Sequence, residues 1–245
     1  GNDTEGYLSS HRILSRATHS NNGVYGEATG KKLTYRVIAD CACKNNQVYD
    51  EWLVRDQGSI IRQLNLDPKT YAVQLIKHQG GLDNCPTPFN KNTNPDLKYT
   101  QIKLPDQNVG YEYADILKNI FMKNLNIIEN CYDRAVNQEQ PGGFTGYGWQ
   151  DVKNFWSTLL SAFPDSNFKI EHISFLNEPN EYAKAAIRWS LSGNHSGSGN
   201  FGEPSNADVY VMGISHAEFG PSGIKNEWVL FDETSIWKQI LLKTG

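Results

Sequence analysis

The apolar positions of the chain follow two different periods, and the change of period marks the predicted elements. Over roughly 111–137 and again over 149–163, apolar residues recur every three or four positions, which predicts two amphipathic helices. Alternating or β-branched apolar residues then predict four strands and a short final helix, at 166–177, 182–193, 207–219, 223–231 and 233–242. Helices followed by an antiparallel meander predict an α+β fold in which the helices pack on one sheet face.

The first half of the chain contains a shorter version of the same order. Its predicted strands cover about 7–17, 33–43 and 47–55, and a helix is predicted at 57–64. Residues 84–110 contain closely spaced Pro and Asn residues, which predict an irregular linker between the two halves.

The two halves also repeat each other in sequence. Residues 12–64 align with residues 188–240 without a gap, and 13 of 53 positions are identical, where chance would give about three. The identical pairs are Arg12/Arg188, His19/His195, Ser20/Ser196, Gly23/Gly199, Gly26/Gly202, Glu27/Glu203, Ile38/Ile214, Glu51/Glu227, Trp52/Trp228, Asp56/Asp232, Ser59/Ser235, Ile60/Ile236 and Gln63/Gln239. The repeat predicts two copies of one fold: residues 1–66 are the C-terminal part of a first copy, 67–110 a linker, and 111–245 a complete second copy.

The two copies differ in length. The second copy has a helical region before its repeated part, and the first copy lacks about 66 of the corresponding residues. Half a domain leaves a sheet face and its edges uncovered, which promotes aggregation. We therefore expect a natural protein that is longer than this chain. Alternatively, another chain or residues 65–105 cover the open face.

Three segments carry a resemblance to a known family. They are Gly146–Asp165, Arg188–Gly197, and Gly223–Trp228 with the following Asp232 and Trp237–Gln239. Together with the order of elements, they resemble the SnoaL-like polyketide cyclases of the nuclear transport factor 2-like superfamily, over about 111–241 and part of 7–66. The resemblance implies two copies of a cone-shaped, curved antiparallel sheet packed with helices, of which the first copy lacks its N-terminal helices.

The same resemblance says less about activity. The fold it implies hosts isomerases, cyclases, dehydratases, hydrolases and non-catalytic binders, so function has to be argued from individual residues. In the SnoaL-like cyclases, the resemblance implies a general-base aspartate three residues before a helix-capping Asp. The corresponding residues here are Leu53 and Val229, which cannot accept a proton. The family's acid–base mechanism therefore does not transfer directly to this chain.

A Glu-Trp-x-x-x-Asp motif occurs in both copies. Its residues are Glu51, Trp52 and Asp56 in the first copy and Glu227, Trp228 and Asp232 in the second. One interpretation is a pocket with an aromatic wall and a carboxylate of raised pKa, suited to proton abstraction next to a carbonyl. The other interpretation is structural: the Asp residues cap helices, the Trp residues lie in the core, and the Glu residues are exposed. Duplication favours the structural interpretation, because the requirements of the fold persist in both copies.

His216 and Asp40 occupy equivalent strand positions and complete, with Glu227, the candidate catalytic set. His216 shares a strand face with apolar residues and could point into the second cone, where a neutral imidazole is a suitable base. The alternative is a hydrogen-bonded structural histidine. Asp40 shares its face with Arg36 and Ile38, so the two cones, if both are pockets, bind different molecules.

The candidate ligand-binding residues are Trp52, Trp156, Arg188, His195 and Trp228. Arg188, like Arg12, could clamp an acidic ligand or pair with Glu227 or Glu51 on a neighbouring strand, and pairing is the preferred interpretation. His195 lies in a Ser- and Gly-rich hairpin, where a turn hydrogen bond is preferred over a role at a pocket mouth.

Composition narrows the range of partners. The net charge is −4 and no Lys/Arg block occurs, which argues against nucleic-acid binding. No apolar run approaches the roughly 18 residues that a membrane span needs. Cys41 and Cys43 share a strand face without further ligands at metal-site spacing, so free thiols, no metal and no cofactor are expected. A cytoplasmic location is the default, with a small-molecule ligand and two copies that pack as a pseudo-dimer, or a homo-oligomer.

Three functions remain open at this point. The first is a cofactor-independent cyclase, isomerase or hydrolase acting on a small, largely apolar, carbonyl-bearing molecule in the cone. The second is a non-catalytic ligand-binding module, which the residues Leu53 and Val229 favour. The third is a structural module in which the copies mainly pack on each other. A cone filled by its own aromatic side chains would support the third.

Overall fold

The computed structural model describes residues 6–90 and 104–245, which form two β-sheets and six α-helices. The first-half elements are β1 (Tyr7–Thr18), β2 (Lys32–Lys44), β3 (Gln47–Arg55), α1 (Gln57–Gln63) and α2 (Pro68–His78). The second-half elements are α3 (Val109–Phe121), α4 (Ile127–Cys131), β4 (Tyr132–Gln140), β5 (Phe144–Tyr147), α5 (Gly148–Ala162), β6 (Asn167–Leu176), β7 (Ala183–Asn194), β8 (Asp208–Gly220), β9 (Gly223–Phe231) and α6 (Glu233–Thr244). The α+β class and all seven predicted strands are confirmed. Among the described residues, no helix is both long enough and apolar enough to cross a membrane.

The two sheets divide along the chain. Strands β1, β2 and β3 form an antiparallel three-stranded sheet, and the other six form a sheet of order β5-β4-β9-β8-β7-β6. Strands β6 to β9 are the predicted antiparallel meander, but β4 pairs with β9 in parallel, so the larger sheet is mixed. The expectation of a purely antiparallel sheet is corrected at this pair.

The predicted helix over 111–137 is wrong beyond residue 121. Helix α3 ends at Phe121, a turn follows with Lys123 at a φ of 66°, and after the short α4 the strand β4 begins at Tyr132. The apolar pattern predicted helix in this region because Tyr132 and Val136 are four positions apart, a spacing typical of helices, and both are buried. Residues 132–140 form a strand because they pair with β5 and β9, and a local sequence pattern does not reveal such pairing.

A helix also lies within the segment assigned to the linker. Helix α2 starts at Pro68 and is capped by the Asp67 carboxylate, which accepts the Thr70 N–H at 2.8 Å. Its buried residues Ala72 and Ile76 pack against Leu241 of α6, so this helix joins the two halves of the chain.

The two faces of strands β7, β8 and β9 enter different environments. Odd-numbered residues face helices α3 and α5 and belong to one hydrophobic cluster, which we call the main core. It includes Tyr113, Leu117, Trp156, Phe163, Ile187, Trp189, Val211 and Val229. On the other face, Ile214 and Leu230 pack against Ile38 and Val54 of the three-stranded sheet.

The contact between the two sheets, which we call the seam, is built around four buried residues. They are Ile38, Val54, Ile214 and Leu230. Ile38 and Ile214 occupy the same repeat position, and so do Val54 and Leu230. Equivalent residues of the two halves therefore meet at the centre of the seam.

Candidate functional site

Aromatic side chains occupy the main core. Trp156, Trp189 and Phe163 are fully buried. Phe121 stacks on Phe168 with ring centroids 3.8 Å apart and meets Trp156 edge-on at 5.4 Å. The interior that the sequence suggested as a pocket is therefore lined and largely filled by its own aromatic rings.

A polar cluster lies within this aromatic core. Glu227 is 0% exposed and accepts three hydrogen bonds: from the hydroxyls of Tyr113 at 2.7 Å and Tyr132 at 2.8 Å, and from Nε2 of Gln138 at 2.6 Å. Helix α3 supplies Tyr113, strand β4 supplies Tyr132 and Gln138, and strand β9 supplies Glu227. The sequence singled out Glu227 but assigned the two tyrosines to an apolar helix stripe.

The protonation of this cluster is set by burial. Burial raises the pKa of Glu227, although the hydrogen bonds from Tyr113, Tyr132 and Gln138 oppose the shift. Burial and the nearby Glu227 also raise the pKa of both tyrosines well above the usual value. Glu227 is therefore a carboxyl group that holds its proton to higher pH than an exposed glutamate, beside two phenols that remain protonated.

Two tryptophans of the main core carry further polar groups. Nε1 of Trp189 donates to Ser215 Oγ at 2.8 Å. Nε1 of Trp156 is buried and has no hydrogen-bond partner among the described residues. A buried donor without a partner is uncommon in folded proteins and marks a place where a ligand oxygen would be favourable. Trp156, predicted as a ligand-binding residue, thus carries the clearest unsatisfied donor of the main core.

The sequence of this chain matches a known protein family. The model of the family described as SnoaL-like polyketide cyclase matches residues 113–240, which is just over half of the chain. The chain belongs to the SnoaL-like polyketide cyclase family. The matched region contains all four residues of the Glu227 cluster.

Solved structures similar to this SnoaL-like chain share little sequence with it. A protein described as a SnoaL-like polyketide cyclase from Jannaschia sp. CCS1 is 12% identical, with 56% of this chain and 97% of that chain covered and a TM-score of 0.46. A protein described as a polyketide cyclase from Acidithiobacillus ferrooxidans is 14% identical, with 57% and 99% covered and a TM-score of 0.45. A protein described as a SnoaL-like polyketide cyclase from Agrobacterium tumefaciens is 18% identical, with 55% and 98% covered and a TM-score of 0.42. Among proteins with curated descriptions, none matches the sequence.

In this SnoaL-like domain, His216 lies at the seam and not in the main core. Its Nε2 atom lies 2.8 Å from Ser10 Oγ of the three-stranded sheet. Burial, followed by the charge of Arg12, lowers the pKa of His216 to about 3. His216 lines a seam cavity of about 310 Å³, so the expectation that it points into the second cone is corrected. Its even position on β8 places it on the opposite sheet face.

Asp40 also lies at the seam, in a buried ionic cluster. Its carboxylate accepts hydrogen bonds from His172 Nδ1 at 2.9 Å and from Arg188 Nε at 3.0 Å. Burial by itself would raise the pKa of Asp40, but the hydrogen bonds and charges of His172 and Arg188 outweigh it and lower the pKa. The sequence did not indicate His172. This residue lies on β6 directly opposite Arg188 of β7, and the pairing of the two strands places it beside Asp40.

The two repeat-related arginines make reciprocal contacts with the two tryptophans of the doubled motif. The guanidinium carbon of Arg12 lies 3.5 Å from the ring centroid of Trp228, and that of Arg188 lies 4.4 Å from that of Trp52. Arg12 pairs with Glu218 at 2.9 Å. The preferred pairing of the arginines with Glu51 and Glu227 does not form.

The reason is the pleat of the sheet. Arg188 at an even position faces the seam, whereas Glu227 at an odd position faces the main core, so the two side chains leave opposite faces. In the first half, Glu51 is exposed and accepts a weak contact from Cys41 Sγ at 3.5 Å. Within the described residues, no group of three or more His, Cys, Asp or Glu side chains is arranged to hold a metal ion.

His195 and the capping aspartates have structural contacts. His195 is fully buried, lies against Phe163, and its Nδ1 lies 2.9 Å from Ser205 Oγ within the same hairpin. Asp232 caps α6 through the Thr234 N–H at 2.9 Å, and Asp56 caps α1 through the Ser59 N–H at 3.0 Å. These contacts agree with the structural interpretation of each residue.

The depressed pKa of His216 predicts a loss of stability in acid. An unfolded histidine titrates near 6.5 and the folded one near 3, so the folded state binds fewer protons between these values. The contribution of neutral His216 to the free energy of unfolding is therefore complete above pH 6.5, and it is lost as the pH falls towards 3. Between pH 7 and pH 3, we expect the free energy of unfolding of His216→Gln to fall by up to roughly 4 kcal/mol less than that of the wild type.

The measurement is urea unfolding at several pH values between 3 and 7. His78→Gln is the control, because it makes the same substitution at an exposed histidine at the end of α2. Identical pH profiles for the wild type and His216→Gln would contradict the prediction.

Proposed function

We propose that the main core of the SnoaL-like domain binds a small, largely apolar, carbonyl-bearing molecule, and that Glu227 acts on it as an acid–base group. One observation carries the proposal: a fully buried carboxyl group with a raised pKa is held by two phenols inside an aromatic shell. Such a cluster is unfavourable in an apolar core compared with well-packed hydrophobic residues, and strongly perturbed carboxyl groups concentrate at functional sites.

In this proposal each group has a separate role. Glu227 transfers a proton to or from a carbon next to the carbonyl, the step that cyclisation and isomerisation of such molecules share. Tyr113 and Tyr132 hold the carboxyl group in place and remain protonated at neutral pH. The unpartnered Nε1 of Trp156 donates to the carbonyl oxygen, and the aromatic rings contact the apolar body of the ligand. No cofactor takes part in this proposal.

The substitution at the family's base position fits this assignment. The resemblance places the usual general base at Val229, which is buried in the main core. Glu227 is two residues earlier on the same strand and on the same face. We propose that the proton-transfer group of this domain has moved along β9 from the position of Val229 to that of Glu227.

A second candidate function is a structural module. The packing of Trp156, Trp189 and Phe163 in the main core favours it, because a ligand then needs these rings to move. We further propose that the two halves are tandem copies that pack as an internal pseudo-dimer. The reciprocal contacts Arg12–Trp228 and Arg188–Trp52 support this, since a two-fold relation makes every contact occur twice.

Proton exchange separates the two functions. We expect the protein to catalyse exchange of the α-protons of a small panel of cyclic ketones, whose uncatalysed exchange is slow at neutral pH, in D₂O, followed by NMR. Glu227→Gln keeps the shape and removes the acid–base group, and it should lower the exchange rate by about 100-fold or more. Glu51→Gln, the same change at the equivalent exposed residue, should have no effect.

Thermal unfolding of both variants shows whether the fold is retained. Exchange by the wild type that persists in folded Glu227→Gln would refute the acid–base role of Glu227. No exchange by the wild type with any member of the panel, combined with a stability loss in Glu227→Gln alone, would favour the structural module.

A further inference from the structure

A groove at the seam has features that neither the cone nor the family accounts for. It encloses about 300 Å³ between the β1–β2 hairpin and strand β9, outside the main core. Its apolar wall includes Ile13, Val37, Ile38, Trp228 and Leu230. We call this the seam groove. Its volume is at the lower end of the range for small-molecule sites, and its apolar lining with few polar groups is typical of them.

Two arginines border the seam groove. Arg12 lies over the Trp228 ring, with its guanidinium carbon 3.5 Å from the ring centroid, and donates to Glu218. Arg36 pairs with Glu139 at 2.6 Å and donates to the Phe144 carbonyl at 3.2 Å. Both side chains are partly buried, at 31% and 20% exposure. A guanidinium carries five N–H donors, so each arginine can bind a further carboxylate beside its present partner.

The other half of the molecule provides a natural comparison. A cavity of about 370 Å³ contains Leu53, Val54 and Met212, the repeat counterparts of Val229, Leu230 and Arg36 of the seam groove. The apolar wall is thus kept at both ends of the seam. The position of the charge differs, because methionine stands where the seam groove has Arg36, and the counterpart cavity contains Arg55 instead.

We propose that the seam groove is a binding site for a small apolar or aromatic monocarboxylate. The apolar body lies against Ile38, Leu230 and the Trp228 ring, and the carboxylate accepts hydrogen bonds from Arg36 and Arg12. This site is separate from the one in the main core and does not depend on Glu227. The partial burial of both guanidinium groups strengthens their interaction with an anion compared with a fully solvated arginine.

The test uses 2-naphthoate and its neutral analogue 2-naphthalenemethanol, with binding to the full chain measured by calorimetry and by NMR of the Trp228 indole. We expect naphthoate to bind at least about fivefold more tightly than the alcohol. Arg36→Met gives the seam groove the residue that its counterpart has at Met212, and it should weaken this preference, because Arg12 then remains as the only arginine of the two. Arg36→Lys should keep part of the preference, and it serves as the second variant if Arg36→Met does not fold.

Other results would overturn the proposal. Equal affinity of the wild type for the acid and the alcohol, an unchanged preference in folded Arg36→Met, or the absence of saturable naphthoate binding each contradicts it. Glu227→Gln should bind naphthoate as the wild type does. If Glu227→Gln loses naphthoate binding, the acid binds in the main core and the assignment to the seam groove is wrong.

Discussion

Replacing Arg188 by methionine is expected to lower the free energy of unfolding by about 3–5 kcal/mol. Arg188 is 3% exposed and donates to the buried carboxylate of Asp40 at 3.0 Å. Removing the guanidinium leaves the buried carboxylate of Asp40 without the permanent positive charge of Arg188, with His172 Nδ1 still at 2.9 Å. The loss is large because a buried charge without compensation is much less favourable than the intact pair.

Arg12→Met is the matched control, measured by urea unfolding at neutral pH. Arg12 occupies the same repeat position, also stacks on a tryptophan and also pairs with a carboxylate, but its side chain is 31% exposed. We expect a loss of about 1 kcal/mol or less, as for other solvated ion pairs. Equal losses for the two variants would show that the stacking on tryptophan, and not the buried charge, dominates.

The double variant Asp40→Leu with Arg188→Met tests the physical reason directly. Replacing both charges by apolar residues removes the uncompensated group, so it should recover much of the stability that Arg188→Met loses. If the double variant is as unstable as the sum of the two single variants, Asp40 and Arg188 are not energetically coupled and the explanation by an uncompensated charge is wrong.

Asp56→Ala should have the second large effect, a loss of about 3–5 kcal/mol in the free energy of unfolding. Its buried carboxylate caps α1 and also accepts the N–H groups of Gly142 at 2.8 Å and Gly143 at 3.1 Å from the other half of the chain. Removing it leaves three backbone donors unpaired, most of them buried.

Asp67→Ala is the control for capping alone. Asp67 caps α2 through the Thr70 N–H but is exposed, and within residues 6–90 and 104–245 it accepts no backbone N–H from the second half. Its loss should be about 1 kcal/mol. A result for Asp56→Ala that does not exceed that for Asp67→Ala would mean that the contacts to Gly142 and Gly143 contribute little to stability.

The two proposed binding regions differ in what they require of the protein. The seam groove is open to solvent at its exposed rim residues Ile13 and Leu14. The Glu227 cluster is buried, with Glu227, Tyr113 and Tyr132 at most 2% exposed, so a ligand reaches it only if surrounding side chains move. Slow binding that accelerates in variants with smaller side chains at Trp156 would be consistent with such a barrier.

The sequence alone determined the helices and strands whose local apolar pattern matches the face that is buried in the folded protein. The four strands of the meander, the three strands of the first half and the helices α1, α5 and α6 were predictable, because alternation and helical spacing match the faces that are buried. Asp56 and Asp232 were predictable as helix caps, since capping depends on neighbouring residues only. The repeat also identified Trp52 and Trp228 as an equivalent pair.

The tertiary structure decided which face each polar residue occupies and which residues it meets. Tyr132 begins a strand because β4 pairs with β9, where its partner Ile224 is 92 positions further along the chain. Glu227 and His216 were equal candidates in sequence, yet the pleat sends Glu227 into the main core and His216 into the seam. The strand positions fixed the odd or even face, but only packing showed that one face meets helices and the other meets a second sheet, because burial and pKa depend on contacts between distant parts of the chain.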